Sequence, residues 1–158
     1  MRYVALFVAA MAGSFVRGWY RNTPLRREMR TRPITFRTDQ LWVRFPASPW
    51  RESGTAVRGM ELIIRGDMFR VGAPFGLGLN YYFRAPQTTI ELSRNPLRIY
   101  GLTGRREWIV VRGRQLDREV RLAMTKRYFL EDVWNALLGA GAVPTSAGPT
   151  PRDGRNRR

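Results

Sequence analysis

Residues 107–142 read EWIVVRGRQLDREVRLAMTKRYFLEDVWNALLGAGA, and a change of period inside this stretch decides the fold. Trp108-Ile-Val-Val111 and then Val120, Leu122 and Met124 follow strand patterning, whereas Leu130, Val133, Trp134, Leu137 and Leu138 recur at helical spacing. A period of 2 gives way to 3.6 within six residues, so two strands lead directly into a short amphipathic helix. A helix with one apolar stripe must lay that stripe on an apolar surface, and the nearest is the sheet just completed. The spacing therefore predicts a helix over 129–140 that acts as a lid on a β-structure. Glu131 and Asp132 fall in its first turn, where the helix dipole favours negative charge, and Gly139 or Gly141 suits its end.

Working back from this stretch, the chain is strand-rich from Ile34 onward. Ile34, Phe36, Leu41, Val43 and Phe45 alternate with polar residues around a turn or bulge at Thr38-Asp39. Residues 46–58, with two Pro, two Ser and a Gly, form a loop carrying Trp50, Arg51 and Arg58. Met60, Leu62 and Ile64 alternate with Glu61, Ile63 and Arg65, and Gly66-Asp67 makes a tight hairpin into Met68 to Val71. The Arg65-Gly66-Asp67 tripeptide matches cell-adhesion ligands, but turn chemistry alone requires Gly and Asp here. Gly72 to Gly78 is Gly-rich yet lacks the Lys-Ser/Thr and following helix of a phosphate loop. Leu79, Tyr81, Phe83 and then Thr88, Ile90, Leu92 give two more strands across Ala85-Pro86-Gln87, with Arg84 and Glu91 placed to pair across them. A basic loop over 94–106 precedes the last two strands.

The total is about seven strands in antiparallel succession followed by one helix, counted by period-2 runs. The predicted fold class is mainly β (α+β): a seven-stranded, partly open antiparallel barrel or sandwich capped by the C-terminal amphipathic helix, with an N-terminal apolar helix. In its last two strands and the helix Leu130-Glu-Asp-Val-Trp-Asn-Ala-Leu-Leu138, the chain resembles bacterial pleckstrin-homology-like (PH-like) domains over residues 34–142. The resemblance implies a non-enzymatic scaffold that binds lipid headgroups, peptides or partner proteins. Phosphoinositide-binding members use a K-x-[K/R]-x-R pattern at the first hairpin. This chain has only Arg51 and Arg58 there, widely spaced and without Lys, which argues against specific inositol-phosphate recognition and leaves a general anionic-lipid contact open.

Four segments are expected: an apolar helix at 1–20, a basic linker at 21–33, the β-domain at 34–142 and a disordered basic tail at 143–158. Tyr3 to Val16 is an unbroken run of fourteen apolar or small residues, and Trp19 and Tyr20 follow Arg17. A spanning helix needs about 20 residues, with roughly 17 as the lower limit, and residues 3–20 just reach it. Tyr3, Trp19 and Tyr20 resemble interfacial aromatics. A buried helix and a signal peptide cut after Ala10-Met11-Ala12 are the alternatives, the second opposed by the Arg cluster that follows. Asn22-Thr23-Pro24 reads as a stop to any helix, because Pro disfavours helical backbone in the preceding residue. The tail is Pro, Thr, Ser, Gly and Arg.

The net charge of +16 comes from 28 basic against 12 acidic residues, and every basic residue but Lys126 is Arg. Residues 1–33 carry seven Arg against Glu28, so the N-terminal part is far more basic per residue than the middle. Absence of Cys and His excludes disulfides, thiolate or imidazole metal sites and the usual nucleophile–base pairs. The acids of the middle region are expected mostly at turns and exposed strand positions. No enzyme, catalytic residue, metal, cofactor or small-molecule substrate is expected. The candidate anionic-surface residues are Arg21, Arg26, Arg27, Arg30, Arg32, Arg51 and Arg58. The five from Arg21 to Arg32 add roughly 5 kcal/mol at an anionic surface before screening, at about 1 kcal/mol each. The preferred partner is an anionic membrane, with a protein partner second, and the expected place is the cell membrane with the β-domain on its cytoplasmic side. A basic nucleic-acid-binding module and a soluble structural interaction protein are the alternatives. Nucleic acid is disfavoured, since no recognition helix, aromatic RNP-like strand or zinc site is present.

Overall fold

The computed structural model describes residues 23–44, 56–74, 80–94, 107–115, 118–126 and 128–149. They build a mainly β architecture with one eight-stranded sheet and two α-helices. Helix α1 (Thr23–Arg30) precedes strands β1 (Phe36–Arg44), β2 (Ala56–Arg65), β3 (Met68–Gly72) and β4 (Asn80–Arg84). A 3-10 turn at Ala85–Gln87 leads to β5 (Thr88–Ser93), then β6 (Trp108–Gln115), β7 (Arg118–Thr125), α2 (Leu130–Gly139) and the short β8 (Val143–Pro144). The strand order is β4-β3-β2-β1-β7-β6-β5-β8, antiparallel except where β8 joins β5 in parallel. Two meanders are thus joined through β1 and β7.

The inner face follows the alternation of the sequence: Leu41 and Val43, Leu62 and Ile64, Phe69 and Val71 all enter one core. From β6 and β7 come Ile109, Val111, Leu122 and Met124, and α2 contributes Val133, Trp134 and Leu137 to the same cluster. Phe83 at the β4 end of the sheet is fully buried and stacks on Phe69 with ring centroids 5.0 Å apart. A Cβ added to Gly113 of β6 would lie 2.8 Å from Phe83 Cδ1, so the two meanders fold onto this shared core and Gly113 is where they approach most closely among the described glycines of the sheet.

Local chemistry sets the boundaries. Gly66 has φ +60 in the two-residue turn between Arg65 and Met68, the position that takes positive φ in a type II′ hairpin. The register of β1 against β2 shifts between Thr38 and Leu41, with Gln40 at φ 59, which puts the bulge one residue beyond the expected Thr38-Asp39. Helix α2 ends in paired bonds, Gly141 N–H to the Leu138 carbonyl (2.8 Å) and Ala142 N–H to that of Leu137 (3.0 Å), with Gly141 at φ +100. This is a Schellman end, which needs the left-handed backbone that Gly adopts without strain.

Four expectations are corrected. Residues 23–30 of the expected linker are helical: Pro24 sits in the first turn, where its missing N–H removes no helical bond, so it starts the helix that it was expected to stop. Leu25 and Met29, one turn apart, then pack on Ile63, Met68 and Tyr82 of the outer sheet face. The expected disordered tail is ordered through residue 149, and it supplies the eighth strand. Its Thr145 N–H bonds the Ile90 carbonyl (2.9 Å), and Ser146 Oγ accepts from Leu92 N–H (2.7 Å). Composition shows little to bury in this segment, but the open edge of β5 offers backbone groups that need partners. Arg84 and Glu91 do not pair with each other. The turn at Ala85–Gln87 sends β4 and β5 to distant places in the sheet, so Arg84 bonds Glu28 (2.5 Å) and Glu91 bonds Arg112 (3.1 Å). Finally, Glu61 is an exception among acids expected mostly at turns and exposed strand positions, because it is buried.

The apolar run 3–16, the loop with Trp50 and most of the 94–106 loop lie outside the described residues. Among the described residues no helix is long and apolar enough to cross a membrane.

Candidate anionic-surface site

Helix α1 is the element that gives the N-terminal basic cluster a fixed shape. Its apolar pair Leu25 and Met29 turns toward the sheet, which leaves Arg27 and Arg30 exposed and Arg26 partly covered and engaged. Glu28 ties the helix down by pairing with Arg84 of β4 and with Arg32 (2.9 Å). Arg32 also pairs with Asp67 of the hairpin turn. From β2, Arg65 Nη1 donates to the carbonyls of Arg32 (2.6 Å) and Arg30 (3.4 Å), placing a cation at the negative end of the helix.

The seven candidates therefore separate. Arg26, Arg27 and Arg30 share α1 and Arg32 follows its end, but the charge of Arg32 is taken up within the fold by two carboxylates. Arg58 stands on β2 opposite Trp42, its guanidinium carbon 5.9 Å from that ring's centroid. At about 3.3 Å per residue, Arg58 is some 16 Å along the strand from Ile63, where α1 packs, so the two sets do not form one patch. Arg21 and Arg51 lie outside the described residues.

Two arginines on the outer faces of strands, Arg70 and Arg44, are buried. Arg70 (6% exposed) pairs with Glu61 (2%) on the outer face, donates to Asn80 Oδ1 (2.9 Å) and the Ala73 carbonyl (3.2 Å), and shares Glu61 with Arg37 Nε (2.7 Å). Gly72 stands in register with Glu61. This network is satisfied from within, so it positions β2, β3 and β4 and offers no free group for chemistry. Arg44, at the end of β1, is 3% exposed, and its Nε and Nη1 have no hydrogen-bond partner. Burial lowers its pKa from the usual guanidinium value. The sequence signal for both was weak, because an Arg on the outer face of a strand ordinarily reaches water.

An open cleft of about 630 Å³ is lined by Gln87, Thr89, Arg112, Gly113, Arg114 and Glu119. It contains one carboxylate and two guanidinium groups, and no nucleophile paired with a base. No family model, curated protein or solved structure matches this chain.

Proposed function

We propose that this chain is a non-enzymatic, membrane-associated binding domain of PH-like build, held at an anionic bilayer by its apolar N-terminus and the basic face of α1. One observation carries the reading: α1 is locked to the sheet and begins at Thr23, directly after the apolar run with its Trp19-Tyr20 end. Three residue steps from Tyr20 to Thr23 span at most about 10 Å. If residues 3–20 enter a bilayer, α1 lies at the headgroups, with Arg27 and Arg30 exposed to them. The strand order that joins two meanders through β1 and β7, the approach of Phe83 to Gly113, and a C-terminal helix with a buried Trp134 support a partly open barrel of the PH-like type. The excess of positive charge beside the apolar run favours the cytoplasmic side.

The ion pairs of Arg32 reduce the electrostatic contribution below that expected for a free cluster. Arg27 and Arg30, at about 1 kcal/mol each, contribute about 2 kcal/mol, or roughly 30-fold in partitioning. The test is fractionation of cells expressing the full chain. The chain should sediment with membranes, deletion of residues 1–20 should release it, and Arg27→Gln with Arg30→Gln should increase the salt-extractable fraction. A full chain found in the soluble fraction refutes the membrane reading. Nanomolar, sequence-selective binding to DNA or RNA at physiological salt would favour the nucleic-acid alternative.

A further inference from the structure

We infer that Arg44 is the centre of a binding site for a phosphate-type oxyanion on the outer face of β1, β7 and β6. Val43 enters the core, so Arg44 points to the opposite face. The residues in register with it across β7 and β6 are Ala123 and Val110, both buried, both outside the inner core and neither offering an acceptor. The nearby hydroxyl of Thr125 already donates to the Glu107 carbonyl (2.7 Å). Nothing among the described residues therefore accepts from Arg44 Nε or Nη1.

A guanidinium with two nitrogens buried and unpaired is costly for a fold to hold, and an apolar side chain of the same length would serve the sheet better. The same face carries a second unfavourable arrangement, Arg112 directly opposite Arg121 across β6 and β7. Glu91 bonds Arg112, Arg121 is engaged, and Glu119 stands opposite Arg114, so Arg44 is the cation of this face whose Nε and Nη1 lack an acceptor. One anion gives Arg44 its missing acceptor, and the nearby Arg112 and Arg121 add to the attraction. A planar guanidinium matches the oxygen edge of phosphate, and additional cations nearby favour a doubly charged group over a carboxylate. This site is separate from the α1 surface and does not depend on membrane attachment.

The experiment is thermal unfolding of the full chain in neutral detergent, in inorganic phosphate and in chloride at equal ionic strength. A ligand that binds only the folded state stabilises it with the logarithm of its concentration, so phosphate should raise the Tm by several degrees when it is roughly 100-fold above its dissociation constant. Arg44→Met should be as stable as the parent or more so in chloride, and its Tm should not respond to phosphate. Arg121→Gln, an exposed change that leaves the sheet intact, should still respond but need several-fold more phosphate. Phosphatidylcholine vesicles with added phosphatidic acid distinguish the source of the phosphate. A gain in binding on adding phosphatidic acid that shrinks in Arg44→Met assigns a lipid headgroup, and an unchanged gain with a lost phosphate response assigns a free phosphate. A parent Tm identical in phosphate and chloride, or an Arg44→Met variant that keeps the phosphate response, overturns the site.

Discussion

Replacing Gly113 with Ala tests whether the two meanders close on one core. The added Cβ would lie 2.8 Å from Phe83 Cδ1 and 2.9 Å from Thr88 Oγ1, both too short for such neighbours, and 3.2 Å from Phe83 Cε1, which is tight. Phe83 is fully buried against Phe69, and Thr88 Oγ1 donates to the Arg84 carbonyl (2.8 Å), so neither neighbour is free to move. Overpacking of this kind costs about 1–3 kcal/mol. Against it, Ala in a strand gains about 0.5–1 kcal/mol over Gly, so the net loss should be about 1–2 kcal/mol. Chemical denaturation of Gly113→Ala, Phe83→Leu and the double variant measures it. The smaller side chain at 83 should remove most of the clash, giving a coupling of about 1 kcal/mol, the range found for residues in contact. A Gly113→Ala variant as stable as the parent, or strictly additive effects, would refute the close approach of β4 to β6.

The remaining predictions concern single packing events. Trp134→Ala should lose about 3–5 kcal/mol in equilibrium unfolding, because Trp134 is buried in the core and Gly148 lies against its indole. Glu61→Leu should cost about 3–5 kcal/mol by leaving Arg70 buried and unpaired, and adding Arg70→Met should recover most of it. Phe129→Gly should stabilise by about 1 kcal/mol, since Phe129 holds φ 65 while 60% of its surface is exposed, and relief of left-handed strain outweighs the little packing lost.

Much of the architecture is legible in the residues alone because its signals are local. The alternation through Leu62, Ile64, Phe69 and Val71, the Gly66 turn, and the switch to helical period at Leu130 all concern neighbours in the chain. So do the acidic first turn of α2 and its Gly141 end. What tertiary structure decided is what depends on partners far away in sequence. Pro24 reads equally as a stop or a start until Leu25 and Met29 find the apolar patch of Ile63, Met68 and Tyr82. Val143–Pro144 at the start of the tail form a strand only because β5 exposes an unpaired edge. Arg44, Glu61 and Arg70 follow the same alternation as exposed polar residues, and whether each meets water, a counter-ion or no partner is set by the elements that surround it. Among the basic residues after the apolar run, only the fold separates Arg32, neutralised by Glu28 and Asp67, from Arg27 and Arg30. Periodicity specifies which face of an element a residue occupies, whereas the electrostatic state of that residue depends on desolvation and pairing, which arise only when distant segments come together.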